Sequence, residues 1–247
     1  MTVSLVLAMA LAAVIGISLG VLGGGGSIVT LPVLVYVAHV PPEEAVAMSM
    51  AIVGATSLFG VVAQARRGYV AWKPGILFSA AGMVGAYLGS GGTHLLPKKV
   101  LMLMFAALMF IVGGLMLRGG ARPECGVCST PKCLGTGFAV GVMTGFMGVG
   151  GGFLIVPALI FAGGLDIRAA AGTSLGVIAL NSASGLVGQL RYAHVHWDLL
   201  GGFLFFAFVG MIAGIFGAER LHPRILRRIF AIVLLVLGVF ITATNLP

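Results

Sequence analysis

The chain has 247 residues, of which 60% are hydrophobic and only 8% are charged, and its mean hydropathy is +1.16. Soluble domains carry about a quarter of their residues as charged side chains, so this composition excludes a soluble protein and predicts an integral membrane protein. The formal charge of +8 comes from basic residues at the ends of apolar segments, which is typical of cytoplasmic loops between membrane spans rather than of a nucleic-acid-binding surface.

The first apolar segment covers residues 4–22, runs into the glycines Gly23 to Gly26 and continues as a shorter apolar piece over 27–40. It has no basic n-region, so we expect it to belong to the mature fold rather than to a cleaved signal peptide. The piece over 27–40 is too short to cross a bilayer alone, because a spanning helix needs about twenty residues. The pattern predicts a re-entrant hairpin that breaks at the glycines and returns to the side from which it came.

Three further spans are predicted over residues 44–65, 74–93 and 100–117, followed by a central cytoplasmic loop at 119–133. This loop contains cysteines with the spacing C-x2-C-x4-C. Three thiols are enough for a metal site with a fourth ligand from elsewhere, or for redox or sulfur-handling chemistry. A cytoplasmic loop disfavours a lasting disulfide, so free thiols are the simplest hypothesis, and we assign no cofactor and no metal. The three cysteines are Cys125, Cys128 and Cys133.

The second half of the chain repeats the first. A shift of 125 residues aligns residues 20–72 with 145–197 without a gap and gives fifteen identities. They include Gly23 on Gly148, Pro32 on Pro157, Gln64 on Gln189, Arg66 on Arg191 and Trp72 on Trp197. We therefore predict two transmembrane repeats, residues 1–118 and 134–247, on either side of the central loop. The second repeat has its broken segment at 134–147 and 153–165 and its spans at 169–190, 199–219 and 225–243.

The loop charges predict that the two repeats are inverted. One hairpin and three spans cross the membrane an odd number of times, so the second repeat starts on the opposite side. With residues 66–73 in the cytoplasm, eleven basic residues lie inside and three outside, whereas parallel repeats would give seven on each side. The positive-inside rule favours the inverted arrangement. The fold class predicted is an all-α polytopic membrane protein with two inverted repeats, as in secondary transporters, whose substrates bind near the midplane where paired helix breaks meet.

The glycine breaks are the first candidate substrate site. A helix that begins inside the membrane has unpaired N–H groups and a partial positive charge at its start, and glycine lets a ligand approach them closely. Close helix packing is the alternative role for these glycines. The candidate residues are Gly24, Gly25, Gly26 and Ser27 in the first break and Gly150, Gly151 and Gly152 in the second.

Uncharged polar residues in the spans after the breaks are further candidates. Thr56 and Asn181 occupy matching positions, seven residues after Ser49 and Ser174, and residues seven apart share a helix face. They could donate to oxyanion oxygens, or simply join helices by hydrogen bonds. Arginine suits oxyanions at the two mouths, although arginines at span ends also anchor topology. The substrate-binding candidates are Ser49, Thr56, Thr173, Ser174 and Asn181 inside the spans, and Gln64, Gln189, Arg66 and Arg191 at their ends.

The motifs GGGGSIVTLPVLV and GVGGGFLIVPALI, each followed by a span that ends in QARRGYVAWK or QLRYAHVHWD, resemble the TauE/SafE (TSUP) family of sulfite exporters. AGTSLG at 171–176 fits its second-half pattern. The resemblance covers nearly the whole chain, but not the cysteine loop. It implies transport of small sulfur-containing anions such as sulfite or organosulfonates, often by export, in a bacterial-type inner membrane.

The residues and the resemblance agree on an anion. All six acidic residues lie at span ends or in loops, whereas a cation transporter is expected to bury carboxylates. We expect a multi-pass transporter that is not an enzyme, with a sulfite-like substrate, a possible coupling proton or co-ion and a possible homo-oligomer. Three alternatives stay open at this point: an uncoupled anion channel, an importer of another small organic or sulfur anion, and an enzyme that uses the cysteine loop.

Overall fold

The computed structural model describes residues 2–24, 26–90, 98–118, 130–147, 152–189, 197–218 and 222–245. Within these ranges the fold is entirely helical, which confirms the all-α prediction. The helices are α1 (Thr2–Leu22), α2 (Gly26–Pro32), α3 (Pro42–Arg66), α4 (Trp72–Ser90), α5 (Lys98–Arg118), α6 (Thr130–Met147), α7 (Gly152–Phe161), α8 (Ile167–Gln189), α9 (Trp197–Ala218) and α10 (Pro223–Asn245).

Three stretches of helix are long and apolar enough to cross a membrane, as judged from the described residues: Glu44–Arg66, Ile167–Gln189 and Leu200–Ala218. Two shorter apolar stretches, Met9–Leu22 and Ala106–Arg118, belong to α1 and α5. The predicted spans match the helices closely; for example, the span predicted at 44–65 is Pro42–Arg66. Leucine, valine and phenylalanine side chains cover the outside of these helices, as expected where lipid is the solvent.

The first glycine cluster breaks the helix and reverses the chain. Gly23 has a positive φ of 70°, a conformation that only glycine adopts at little cost. The chain then returns along α1, because the Cα of Gly26 faces Ile15 and Leu19 so closely that a Cβ would overlap the Ile15 carbonyl. Pro32 ends α2 and is followed by a π-helical turn, Val33–Val37, since proline has no N–H to continue the α-helical ladder.

Helices from opposite halves pack side by side through glycines. Along α1 and α9 the contact residues advance together: Gly16 faces Ala207 and Gly20 faces Met211. These two helices therefore run in the same direction. The same holds for α4 and α6, which contact through Gly82 and Gly141 and, further along, through Ala86 and Gly145, and for α3 and α9, where Gly60 faces Met211 and Arg67 bonds to Ile215.

The two central helices, α3 and α8, cross in opposite directions. Gly54 faces Ser182 near the middle, whereas Gly185 contacts Met50 at one end and Gly60 contacts Leu175 at the other. Helices α5 and α10 form a second antiparallel pair. Helix α4 lies parallel to α8, because Gly75 faces Thr173 and Gly188 faces Ser90.

Helix pairs in the structure come in equivalent sets. Replacing both helices of one pair by their counterparts from the other half gives another pair that is also in contact. The counterparts are α1 and α6, α3 and α8, α4 and α9, and α5 and α10, from the 125-residue shift. The pair α1 with α9 then becomes α6 with α4, and the pair α3 with α9 becomes α8 with α4. The sequence repeat therefore extends to the way in which the helices pack.

Candidate functional site

The two glycine breaks meet at Gly24 and Gly152. A Cβ built on Gly152 would lie 2.6 Å from the Gly24 Cα and 2.7 Å from its carbonyl oxygen, and a Cβ on Gly24 would overlap the backbone of Gly152. Real Cβ atoms never come so close to other backbone atoms, so each position requires glycine. The remaining glycines predicted to line the breaks, Gly25, Gly150 and Gly151, lie outside the described residues.

The start of α8 supports the first break. The Ser174 hydroxyl donates to the carbonyl of Gly23 at 3.0 Å and to that of Ala171 at 2.8 Å. Ala171 also packs directly on Gly23, with no space for a Cβ there. Ser174 therefore holds the turn at Gly23 in place, and its hydroxyl hydrogen points at backbone oxygens.

The other predicted hydroxyls also bond to the backbone. Ser27 donates to the Gly24 carbonyl at 2.7 Å, Ser49 to that of Val46 at 2.9 Å and Thr56 to that of Ile52 at 2.7 Å. Thr173 differs, because its Oγ1 accepts the backbone N–H of Ala71 at 2.8 Å and so joins the loop after α3 to α8. In this conformation these side chains brace the helices around the breaks.

Buried polar atoms with no hydrogen-bond partner occur on the two central helices. They include Ser57 Oγ and Gln64 Oε1 on α3, and Ser182 Oγ with both amide atoms of Asn181 on α8. Gln189, the counterpart of Gln64, donates from Nε2 to the Ser90 carbonyl at 3.2 Å. An unmet buried polar group costs about 1–3 kcal/mol, so this concentration makes the α3–α8 pair the candidate site.

Asn181 is the most exceptional of these residues. It is only 2% exposed, yet neither its Oδ1 nor its Nδ2 has a partner. Its carboxamide lies against Gly82 of α4, where a Cβ would be 2.6 Å from Nδ2. Ile178, three residues earlier on the same face of α8, contacts Gly152 of the second break. The free carboxamide is thus one helical turn from the place where the two breaks meet.

Two neighbouring arginines at the end of α3 point in different directions. Arg66 is exposed and lines a large apolar groove of about 1010 Å³ between α3 and α8, together with Trp72. Arg67 is partly buried, donates to the Ile215 carbonyl at 3.4 Å and lies 5.0 Å from the centre of the Phe216 ring. The structure therefore places Arg66 away from the glycine breaks. Arg191, its counterpart, lies outside the described residues.

Sequence reasoning missed the small cavity that Arg67 lines with Gln64, Tyr69 and Arg168. It treated Arg67 and Arg168 only as topology anchors. The sequence does contain an indication of this cavity. Arg67 follows Gln64 closely at the end of α3, and as the residue next to Arg66 it lies on a different face of the helix.

The cysteine hypothesis requires a correction at Cys133. This residue is fully buried and disulfide-bonded, whereas the sequence favoured free thiols in a cytoplasmic loop. A sulfur that is bonded to another sulfur is not a thiolate, so Cys133 in this state is not a metal ligand. Among the described residues no cluster of three metal-ligating side chains occurs. Cys125 and Cys128 lie outside the described residues.

Comparison with known proteins gives a consistent result. The sulfite exporter TauE/SafE family profile matches residues 8–241, which confirms the predicted resemblance. A "Probable membrane transporter protein" of Xylella fastidiosa (strain Temecula1) is 36% identical over 250 residues, with 96% of this chain and 95% of the relative covered. "Probable membrane transporter protein YdhB" of Bacillus subtilis is 28% identical over 193 residues, with 75% and 79% covered. None of the solved structures matches the chain significantly.

Proposed function

The chain belongs to the sulfite exporter TauE/SafE family and is a multi-pass membrane protein, and from this premise we propose that it is a secondary transporter that exports small sulfur-containing anions. Sulfite and small organosulfonates are the substrates that we assign, with transport rather than catalysis as the activity. The substrate binds beside the junction of the two glycine breaks, near the middle of the membrane.

The observation that carries this proposal is the unpartnered carboxamide of Asn181. An amide in an apolar interior normally finds hydrogen-bond partners, but this one has none and lies against Gly82 of α4. Its Nδ2 supplies two donors to an oxyanion. Helix α7 begins at Gly152, and the first N–H groups of a helix have no partner within it, so we expect them to add backbone donors. Neither the amide nor the backbone N–H groups carry a fixed charge, so the anion is bound weakly enough to be released.

Helix directions support an inverted repeat around this site. Helices α1, α3 and α9 run one way, and α4, α6 and α8 run the other way, according to their glycine contacts. Each helix is therefore antiparallel to its counterpart in the other half. An inverted pair of broken helices provides two nearly equivalent conformations that open on opposite sides, which is the usual basis of alternating access.

The fold-back of α2 on α1 supports the re-entrant hairpin. Helix α2 and its π-helical turn together cover Gly26–Val37, which is about 18 Å at 1.5 Å per residue and shorter than the hydrocarbon core of about 30 Å. Helix α7, Gly152–Phe161, is shorter still. We infer that each half enters the membrane, turns at its glycines and returns to the same side.

The proposal is tested by sulfite flux in proteoliposomes that contain the purified full-length chain. We expect saturable sulfite movement that unlabelled organosulfonates inhibit, and a loss of at least tenfold in Asn181→Ala. Leu180→Ala is the matched control, because the neighbouring Leu180 is 46% exposed and lines the apolar groove together with Arg66. Absence of sulfite and organosulfonate flux from well-folded protein would refute the substrate assignment. Equal losses in the two variants would remove Asn181 from the site.

A further inference from the structure

A small cavity of about 30 Å³ lies where α3 ends and α8 begins. Its polar lining consists of Gln64, Arg67, Tyr69 and Arg168, and α9 and α1 close it with apolar residues. The volume is enough for one or two water molecules. A cavity lined by two guanidinium groups at the edge of an apolar membrane domain is suited to an anion rather than to an apolar ligand.

The groups around this cavity are held by the fold. Arg67 is oriented by its bond to the Ile215 carbonyl and by the Phe216 ring. The Arg168 backbone lies in the first turn of α8, and its N–H donates to Asp166 Oδ2 at 3.3 Å. Gln64 is only 8% exposed, and its Oε1 has no hydrogen-bond partner. A rotation of this carboxamide by a half turn presents Nε2 at the same place, so Gln64 can serve as an uncharged donor.

The cavity adjoins the first glycine break directly. Ala171 lines the cavity and also packs on Gly23. The Tyr69 backbone lies against Gly172, and the N–H of Ala71 bonds to Thr173. The loop after α3 therefore covers the N-terminal part of α8, which is also the part of α8 that contacts the first glycine break. An anion in the cavity would be separated from the break by one residue.

The opposite mouth has different chemistry. In the 125-residue register, the counterpart of Arg67 is Tyr192 and the counterpart of Arg168 is Glu43. Two arginines on one side thus correspond to a tyrosine and a carboxylic acid on the other, although Gln64 and Gln189 are retained. The repeat is nearly symmetric in its apolar residues and asymmetric in charge at its two ends. At these matched sequence positions the first end has two basic residues where the second has one neutral and one acidic residue, so the first end is the more favourable one for an oxyanion.

We propose that the Gln64–Arg67–Arg168 cavity is a capture site that loads a small oxyanion of the sulfite class onto the first glycine break from one side only. This inference rests on the proposed function, since it assigns the side on which that transporter is loaded. By the distribution of basic residues this side is the cytoplasm, as export requires. The cavity is smaller than the anion, so admission requires the partly exposed arginine side chains to exchange their present contacts for bidentate hydrogen bonds to the anion.

Direct binding tests the site without reference to transport. Thermal unfolding of the detergent-solubilised full chain is followed in sodium sulfite and in sodium chloride of equal ionic strength, because a ligand that binds only the folded state raises the melting temperature. We expect sulfite to stabilise the wild type and Arg66→Gln equally. Arg67→Gln and Arg168→Gln should each need at least fivefold more sulfite than the wild type for the same rise in melting temperature. Arg67→Lys should need a sulfite concentration between those of the wild type and Arg67→Gln. Equal sulfite responses in all variants, or none in the wild type, would overturn the capture site.

Sided flux measurements then separate the capture site from the transport proposal. In oriented proteoliposomes, Arg67→Gln should raise the half-saturating sulfite concentration at least fivefold on the arginine side and change it less than twofold on the other side. Equal increases on both sides would overturn the one-sided loading. If the wild type binds sulfite through Arg67 but moves none, the capture site stands and the transport assignment fails.

Discussion

Gly24 and Gly152 are in backbone contact, so that the α-carbon of each occupies the space in which a Cβ of the other would lie. The two residues are distant in sequence and belong to different halves of the chain. Their contact joins the two helix breaks into one structural unit, and it makes the absence of a side chain at both positions a requirement of the fold.

Gly152→Ala should therefore destabilise the protein strongly. The new Cβ would be 2.6 Å from the Gly24 Cα, and neither backbone can yield without moving a whole helix, so we expect a loss of about 2 kcal/mol or more, as for overpacked cores. Thermal unfolding in detergent measures it. Gly201→Ala on α9 is the control, because nothing lies within 4 Å of its Cβ position; it should be neutral or slightly stabilising. Equal melting temperatures for the two variants would contradict the contact.

Gly82→Ala should separate function from stability. Its Cβ would meet the Asn181 carboxamide, 2.6 Å from Nδ2, and the end of a side chain can rotate away at small cost. We expect a drop in sulfite flux of at least fivefold with little change in melting temperature. Gly141→Ala, which would meet the backbone of Gly82, should instead lower the melting temperature. A flux unchanged in Gly82→Ala would show that the orientation of Asn181 does not matter for transport.

Asn181→Leu should leave the protein as stable as the wild type or make it more stable. Leucine has the same branching at Cγ as asparagine, and the substitution removes two buried polar atoms that have no partners, each with a cost of about 1–3 kcal/mol. This gain offsets the cost of the larger leucine side chain, about 1–3 kcal/mol for an overpacked position. At the same time, sulfite flux should be lost. Melting temperature and proteoliposome flux are measured on the same preparation. A clear fall in the melting temperature would mean that the carboxamide has a structural partner, and that its free state is not part of the site.

Ser174→Ala should weaken the first break. The hydroxyl bonds to the Gly23 carbonyl at 3.0 Å, and loss of a buried hydrogen bond costs about 1 kcal/mol. We expect a modest fall in melting temperature and a lower maximal flux. Thr242→Val serves as the control, because its hydroxyl bonds to Gly238 within α10, away from the breaks; its flux should stay within twofold of the wild type. A larger loss of flux in the control would argue against a specific role of Ser174.

The sequence predicted the helices well, because apolar length acts locally, and it predicted the interruption between α1 and α2 at the first glycine cluster. It could not predict which hydroxyl hydrogens are available, since Ser27 and Thr56 direct theirs to carbonyls within three or four residues. Nor could it distinguish Arg66 from Arg67. Helix α3 ends between them. One step along the chain therefore takes the side chain from the apolar groove, which Arg66 lines, to the small cavity beside the first break, which Arg67 lines.

The pairing of α1 with α9 and of α4 with α6 also has a consequence for biosynthesis. Helix α1 finds its partner only after about 190 further residues have been synthesised, which takes about ten to forty seconds at ordinary translation rates. Until then the face of α1 that carries Gly16 and Gly20 is not covered by α9. The first half alone lacks α9, the main partner of α1, and also α6 and α8, the main partners of α4, so nearly the whole chain must be synthesised before these pairs can form.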